Sequence, residues 1–321
     1  MNNKILIIAG DPNSINTEII FKSYKKLKKS LKKNIYIIGN YNLIEKQFKI
    51  LKYNIKLKRL RNIDQSVNNT DLKIIDLKLS FKDPFKVSKR NSIRYVVNSL
   101  NLAHEIAVNK KVKGIINCPI NKKHLAQKKI GVTEYLAKKC KIKNNSEVML
   151  IFNDRFAVAP LTTHIDIKQV SNKIGIKKIL NKLKTIERWY KKKLKIKPKI
   201  GILGLNPHNA ELFKSSEEKK VIIPAIKRLK KLGIKVNGPL VPDSLFISEY
   251  KKYNVVVGMY HDQVLAPFKA IYKFNAINIT LGLKYFRASP DHGTAYNIIK
   301  KNKANAESLL NCISILNKFK K

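Results

Sequence analysis

Cysteine is scarce in this chain. Cys118, Cys140 and Cys312 lie scattered through 321 residues with no paired spacing. That excludes a disulfide framework and a cysteine-built zinc site, and it fits a reducing cytoplasm. Long hydrophobic runs are missing as well. The most extended, 5–10 and 255–259, fall far short of the ~20 residues a membrane-crossing helix needs. The segment 4–9 reads as a strand with no small-residue cleavage pattern after it, so no signal peptide is expected.

Acidic residues are also few: 21 Asp and Glu stand against 67 Lys and Arg, a formal net charge of +46. Such a surface could attract nucleic acid, anionic lipid or phosphorylated metabolites. Only eight of the basic residues are Arg, however, and the lysines run through the whole chain without a basic tail. Runs such as Lys25-Lys26 and Lys28-Lys29 alternate with apolar residues, as solvated helix faces do. Lys, Asn and Ile dominate together, as an AT-rich coding sequence would produce. No helix-turn-helix, zinc finger or RNP-type aromatic motif is present. The expectation is a lysine-rich surface with neither a nucleic-acid nor a membrane partner.

What the chain does have is length enough for a proper core, in two domains or one of bilobal shape, and 44% hydrophobic content, which fits a globular protein. Short β-rich runs at 4–9, 35–39, 113–118, 147–152, 156–163, 199–205, 254–259 and 276–281 alternate with amphipathic stretches. Those stretches cover 17–31, 42–52, 89–109, 167–195, 217–232 and 305–319. The rhythm predicts an α/β fold with mostly parallel sheets flanked by helices. Residues 53–88 read as an irregular excursion with short strands.

Loops at the carboxyl ends of such strands are where ligands bind. His164, His208 and His261 each follow a separate strand, so they can converge at one sheet edge. Three imidazoles with an open position make a catalytic type of metal site, although spacings this wide are no local motif. His104 reads as helix surface and His124 as a capping or surface residue. Arg287, Asp291 and His292 are expected in a glycine-containing turn. Asp291, His292, Gly293 and Thr294 should lead into a helix and offer N–H groups to an anion, or serve merely as its cap. Lys269, Asn278 and Arg287 together could hold a phosphate. The loop Gly10-Asp11-Pro12-Asn13-Ser14 occupies the place of a nucleotide-binding loop but lacks both glycine-rich fingerprints.

Eight segments in order carry a resemblance. They are Gly10-Asp11-Pro12, Pro119-Ile120-Asn121-Lys122, Thr133-Glu134-Tyr135-Leu136-Ala137, Leu161-Thr162-Thr163-His164, Gly204-Leu205-Asn206-Pro207-His208, Gly238-Pro239-Leu240-Val241-Pro242-Asp243, Gly258-Met259-Tyr260-His261-Asp262-Gln263 and Ser289-Pro290-Asp291-His292-Gly293-Thr294-Ala295. Spanning nearly the whole chain, they resemble the 4-hydroxythreonine-4-phosphate dehydrogenase family.

The resemblance implies a bilobal fold similar to isocitrate and isopropylmalate dehydrogenases. One domain would comprise 1–132 with 281–321 and the other 133–280, with the active site in the cleft. It implies a homodimer with its site at the subunit interface. It also implies oxidation of 4-phosphooxy-L-threonine with NAD (or NADP) and a divalent ion (Zn, Mg or Co), followed by decarboxylation. His164, His208 and His261 match the metal ligands, contributed from both subunits. Thr133, Lys269, Asn278 and Arg287 match substrate-contacting positions, with Lys269 a candidate for proton transfer or phosphate binding. Ser289, Asp291, His292, Gly293 and Thr294 fall where the cofactor is expected, and Asp262 would orient a ligand imidazole. Two departures stand out. The family's Gly-His-Thr-Glu is Gly131-Val132-Thr133-Glu134 here, so Val132 replaces a substrate-contacting histidine. Its Gly-Ile-Gly-Pro-Glu is Ser14-Ile15-Asn16-Thr17-Glu18, without either glycine. A threonate or erythronate 4-phosphate dehydrogenase is the near alternative. A metal-dependent hydrolase and a nucleic-acid-binding protein are the more distant ones.

Overall fold

The computed structural model describes residues 3–65, 67, 69–125, 131–143, 146–273 and 275–319. In chain order its strands begin with β1 (Ile5–Ile8), β2 (Ile35–Gly39), β3 (Leu57–Leu60), β4 (Leu72–Asp76) and β5 (Gly114–Asn117). Then come β6 (Val148–Phe152), β7 (Ala157–Pro160), β8 (Ile200–Leu203), β9 (Val236–Leu240), β10 (Val255–Gly258), β11 (Ile277–Leu281) and β12 (Phe286–Pro290). The chain divides into two compact units, 1–132 with 284–321, and 133–283.

In the first unit the strand order is β3-β4-β2-β1-β5-β12, and every pairing is parallel. Strands β1, β2 and β5 are buried along their whole length, which is why they read as continuous Ile-rich runs rather than as an alternation. The helix Lys89–Val108 buries Ser92, Tyr95, Val96, Ser99, Leu100 and Ala103 at three- and four-residue spacing, the stripe that packs a helix on a sheet. Ser88 caps it by accepting from Asn91 N.

In the second unit the order is β11-β6-β7-β10-β8-β9. Here β11–β6 and β6–β7 are antiparallel, while β7–β10, β10–β8 and β8–β9 are parallel. Its core gathers Phe156, Val158, Leu203, Val256, Val264 and Phe268. The mostly parallel α/β architecture is therefore the one the alternating pattern predicts.

Several local expectations need correction. Arg287 lies inside β12 rather than in a turn. No long helix directly follows His292; the next element is the three-residue turn Tyr296–Ile298, so segment 291–294 caps nothing extended. The periodic stretch 167–195 breaks at Gly175, which leaves Ile176–Trp189 as its main helix. The strand β9 and the helices Val132–Lys139 and His261–Tyr272 are additions to the pattern read from the sequence. Gly238 and Pro239 disguise the first, and Pro267 disguises the last.

Candidate functional site

Strands β7, β10 and β8 are adjacent and parallel, with Gly258 paired to Pro160. Their carboxyl ends therefore emerge side by side, about 4.8 Å apart, and each leads into a histidine-bearing loop. The His164 and His261 rings lie 6.2 Å apart between centroids. His261 Nδ1 stands 2.7 Å from Asp262 Oδ1, and His164 Nδ1 stands 3.6 Å from Glu134 Oε1. Glu134 also accepts from Thr163 Oγ1 at 3.0 Å. Burial works to raise the Glu134 carboxyl, but His164 and Thr163 outweigh it and hold it down at about 2. Each imidazole thus turns Nδ1 toward a carboxylate and keeps Nε2 for another partner, the orientation that outer carboxylates impose on metal-binding histidines.

His208 sits in different backbone. Residues 208–212 have φ between 45° and 59°, five left-handed residues in succession without one glycine. Each costs about 1–2 kcal/mol relative to right-handed helix, and no sequence signal announces them. Among the described residues no three His, Cys, Asp or Glu side chains stand close enough together to hold a metal ion. The pair His164–His261 is therefore brought together within one chain, and His208 does not complete it.

Of the substrate candidates, Thr133 Oγ1 lies 3.2 Å from Thr280 Oγ1 on β11. Asn278 is two residues earlier on the same strand and so on the same face. Asn278 Oδ1 is buried with no hydrogen-bond partner among the described residues. Val132 is the half-buried first residue of the helix that carries Thr133. Lys269 is exposed in the last turn of the helix that begins at His261. Arg287 is only 2% exposed, and its Nε donates to Asn117 Oδ1 at 2.7 Å.

In the first unit the chain runs from β1 to β2 on one side and later returns to β5 on the other, a topological switch point. The loop after β1 meets the loop after β5 there. Gly10, at φ 77°, is required because a Cβ would come within 2.6 Å of Pro119 O. Asp11 is 2% exposed; Asn13 N donates to its Oδ1 at 2.9 Å, and Asn121 N and Tyr296 Oη donate to its Oδ2 at 3.3 and 3.4 Å. His124 is buried rather than superficial, with Nε2 2.9 Å from Asp11 Oδ2. A lone histidine after a polar run carries no hint of that contact. Beyond β12, Asp291 N donates to Ser308 Oγ at 3.1 Å. Ser289 and Thr294 are buried, while a Cβ on Gly293 would meet open space. His292 Nδ1 lies 3.0 Å from Gly293 O. The altered segment 14–18 carries no positive φ; Asn16 simply begins the helix Asn16–Lys26. Its missing glycines therefore leave no strain.

Parallel strands that deliver imidazole, carboxylate and amide groups from their carboxyl ends define an α/β enzyme scaffold. The chain belongs to the pyridoxal phosphate biosynthetic protein PdxA family, whose model matches residues 30–316. It is 37% identical to a 4-hydroxythreonine-4-phosphate dehydrogenase from Sulfurihydrogenibium sp., over 97% of each chain. It is 31% identical to a protein from Oceanobacillus iheyensis provisionally named a D-threonate 4-phosphate dehydrogenase, over 96% of this chain and 95% of that one. The solved 4-hydroxythreonine-4-phosphate dehydrogenase of Klebsiella pneumoniae matches it with a TM-score of 0.82 and 28% identity, over 98% of each chain.

Proposed function

We propose that this chain is a dehydrogenase that oxidises 4-phosphooxy-L-threonine to 2-amino-3-oxo-4-phosphooxybutanoate. NAD would be the oxidant, and His164, His208 and His261, contributed from both subunits of a dimer, would hold a divalent metal. The product would then lose carbon dioxide to give 3-amino-2-oxopropyl phosphate, on the way to pyridoxal 5′-phosphate. The observation that carries the reading is the His164–His261 pair with both Nδ1 atoms turned to carboxylates, in a chain whose relatives bear that activity's name.

The donor set fits a borderline divalent ion, since imidazole suits several of them. A bound metal would supply Lewis-acid polarisation of the substrate hydroxyl and of the resulting carbonyl. NAD would take the hydride at the same carbon. The chain's own part is positioning. Glu134 and Asp262 would fix the tautomers of His164 and His261. Thr133 and Asn278, on one face of the second unit's sheet, would donate to and accept from the substrate's polar groups. Lys269 Nζ would bind the phosphate as a cation or help with proton transfer. Arg287 would add cationic charge for the phosphate. In the first unit, the segment from Ser289 to Thr294 would approach the nicotinamide cofactor, because Gly293 leaves room for it.

A homodimer belongs to the same reading. Ile165, Ile167, Leu212 and Phe213 flank His164 and His208, and all four are exposed, Phe213 by 62%. Exposed apolar side chains gathered beside a site suit coverage by a second copy.

The test is NADH formation by the purified chain with 4-phosphooxy-L-threonine and a divalent metal, against a chelated control. Metal-dependent NADH supports the reading, and turnover without NAD would replace it with a hydrolase. The second reading, a threonate or erythronate 4-phosphate dehydrogenase, is favoured by Val132. An apolar side chain there cannot hydrogen-bond the group a histidine would, which shifts the substrate pattern that is satisfied. Faster turnover of either sugar-acid phosphate than of 4-phosphooxy-L-threonine would establish it.

A further inference from the structure

The three histidine-bearing loops are tied together by hydrogen bonds that use no histidine. Thr162 donates both Oγ1 and N to Met259 O, at 2.7 and 3.2 Å, which joins the loop of His164 to that of His261. Gln263 accepts from Met259 N at 2.7 Å through Oε1 and donates Nε2 to Gly204 O at 2.7 Å. One side chain thereby joins the loop of His261 to that of His208.

On the far side of Gly204, Glu218 is 0% exposed. Its Oε1 accepts from Leu205 N at 2.7 Å and Asn206 N at 2.9 Å, and its Oε2 accepts from Asn206 Nδ2 at 3.0 Å. Burial works to raise this carboxyl, but those amide donors outweigh it and keep it ionised. Gly204 makes the approach possible: a Cβ there would run into Asn209 Oδ1 and stand 3.1 Å from Glu218 Oε1. The anchored stretch 204–206 leads directly into the left-handed turn 208–212. A turn so opposed to its own backbone preference persists only when its surroundings over-determine it.

We infer that Gln263 and Glu218 are positioning residues. They set the strand-end loops in one register and hold the strained turn that presents His208. The geometric part stands on the hydrogen bonds alone, and only its consequence for metal binding rests on the proposed function.

The test uses the full chain, stripped of metal, as wild type, Gln263→Glu and Glu218→Gln. The first variant keeps an acceptor for Met259 N and loses the donor to Gly204 O. The second weakens the acceptor for the amides. Hydrogen exchange across 204–212 should quicken about tenfold, the effect of one lost hydrogen bond on local opening. The rate at which diethylpyrocarbonate modifies His208 should change, while that of His104 stays fixed. Wild-type exchange at 204–212 in both variants would overturn the inference. So would uniform loosening of the whole second unit, the mark of a merely structural role. If Glu218→Gln does not fold, Gln263→Glu at its half-buried site decides alone.

Chelator competition then reads metal affinity, expected to be about 10–100-fold weaker in the variants. A wild type that binds no divalent metal would sink the metal reading, while the exchange result would still decide the positioning roles.

Discussion

At the carboxyl ends of β1 and β5 the polar groups gather around one buried carboxylate, Asp11. At the ends of β7, β8 and β10 they are held in place for something else. Asp11 gathers donors from Asn13, Asn121 and Tyr296, with His124 beside it, on backbone that turns left-handed only at Gly10 and Ala295. The histidine loops pair two imidazoles with carboxylates, keep a five-residue left-handed turn, and leave Leu212 and Phe213 exposed. The first arrangement centres its hydrogen bonds on Asp11, although Asn16 Oδ1 and Thr17 Oγ1 nearby are buried with no partner among the described residues. The second carries strain and uncovered surface, which functional sites tolerate at a cost to stability.

The comparison breaks most readily at His261. His261→Ala should lower metal-dependent NADH formation roughly 100-fold or more, with the melting temperature moved by no more than about 2 °C. Unchanged turnover would remove the metal reading. The opposite profile is expected for Asp11→Ala, which should cost about 3 kcal/mol of stability because several buried groups lose their partner at once. Urea unfolding would measure it, and a loss under about 1 kcal/mol would mean that the bonds gathered on Asp11 do not hold the first region together.

A pH effect sharpens the contrast further. Lys182 is buried in the second unit and donates to Glu147 O at 2.5 Å; burial pulls its pKa from 10.5 down to about 8. Between those values the unfolded chain binds more protons than the folded one, so this group's contribution to stability rises as pH climbs from about 8 to 10.5. Below that window both states are protonated and the folded state bears the burial cost. Lys182→Met should flatten this part of the stability–pH curve, and an unchanged rise would show that Lys182 does not cause it. The smallest effect expected is at Ala210, where glycine should stabilise the left-handed turn by about 1 kcal/mol. Thermal unfolding of Ala210→Gly checks it; destabilisation would mean the turn is not left-handed in solution.

The legible parts of the molecule are those where burial is uniform. Strands β1, β5, β8 and β10 are buried along their whole length and almost wholly apolar, and the sequence pattern registers that directly. Strand β3, Leu57-Lys58-Arg59-Leu60, lies at a sheet edge and mixes charge into its run. Strand β12 hides Arg287 among small residues, and its burial next to Asn117 is a tertiary event with no local trace. The histidine positions after β7, β8 and β10 can be read because strand ends can be read. The backbone of 208–212 cannot, since Asn209 tolerates left-handed geometry but Ala210, Glu211 and Leu212 oppose it. Nor can the reach of Gln263 to Gly204, which depends on two strands lying side by side.

The discontinuity of the first unit bears on how the chain is made. Residues 133–283 leave the ribosome as one contiguous piece, able to collapse as soon as β11 has emerged. The first unit has to wait. Gly114 lacks a side chain because Phe286 O would lie 2.8 Å from its Cβ, and β12 together with the helix Glu307–Lys318 arrives last of all. Until then Ile115 and Ile116 sit on an open strand edge, the kind of surface that chaperones hold and that neighbouring nascent chains pair with. Translation speed through the second unit therefore sets how long the first remains vulnerable.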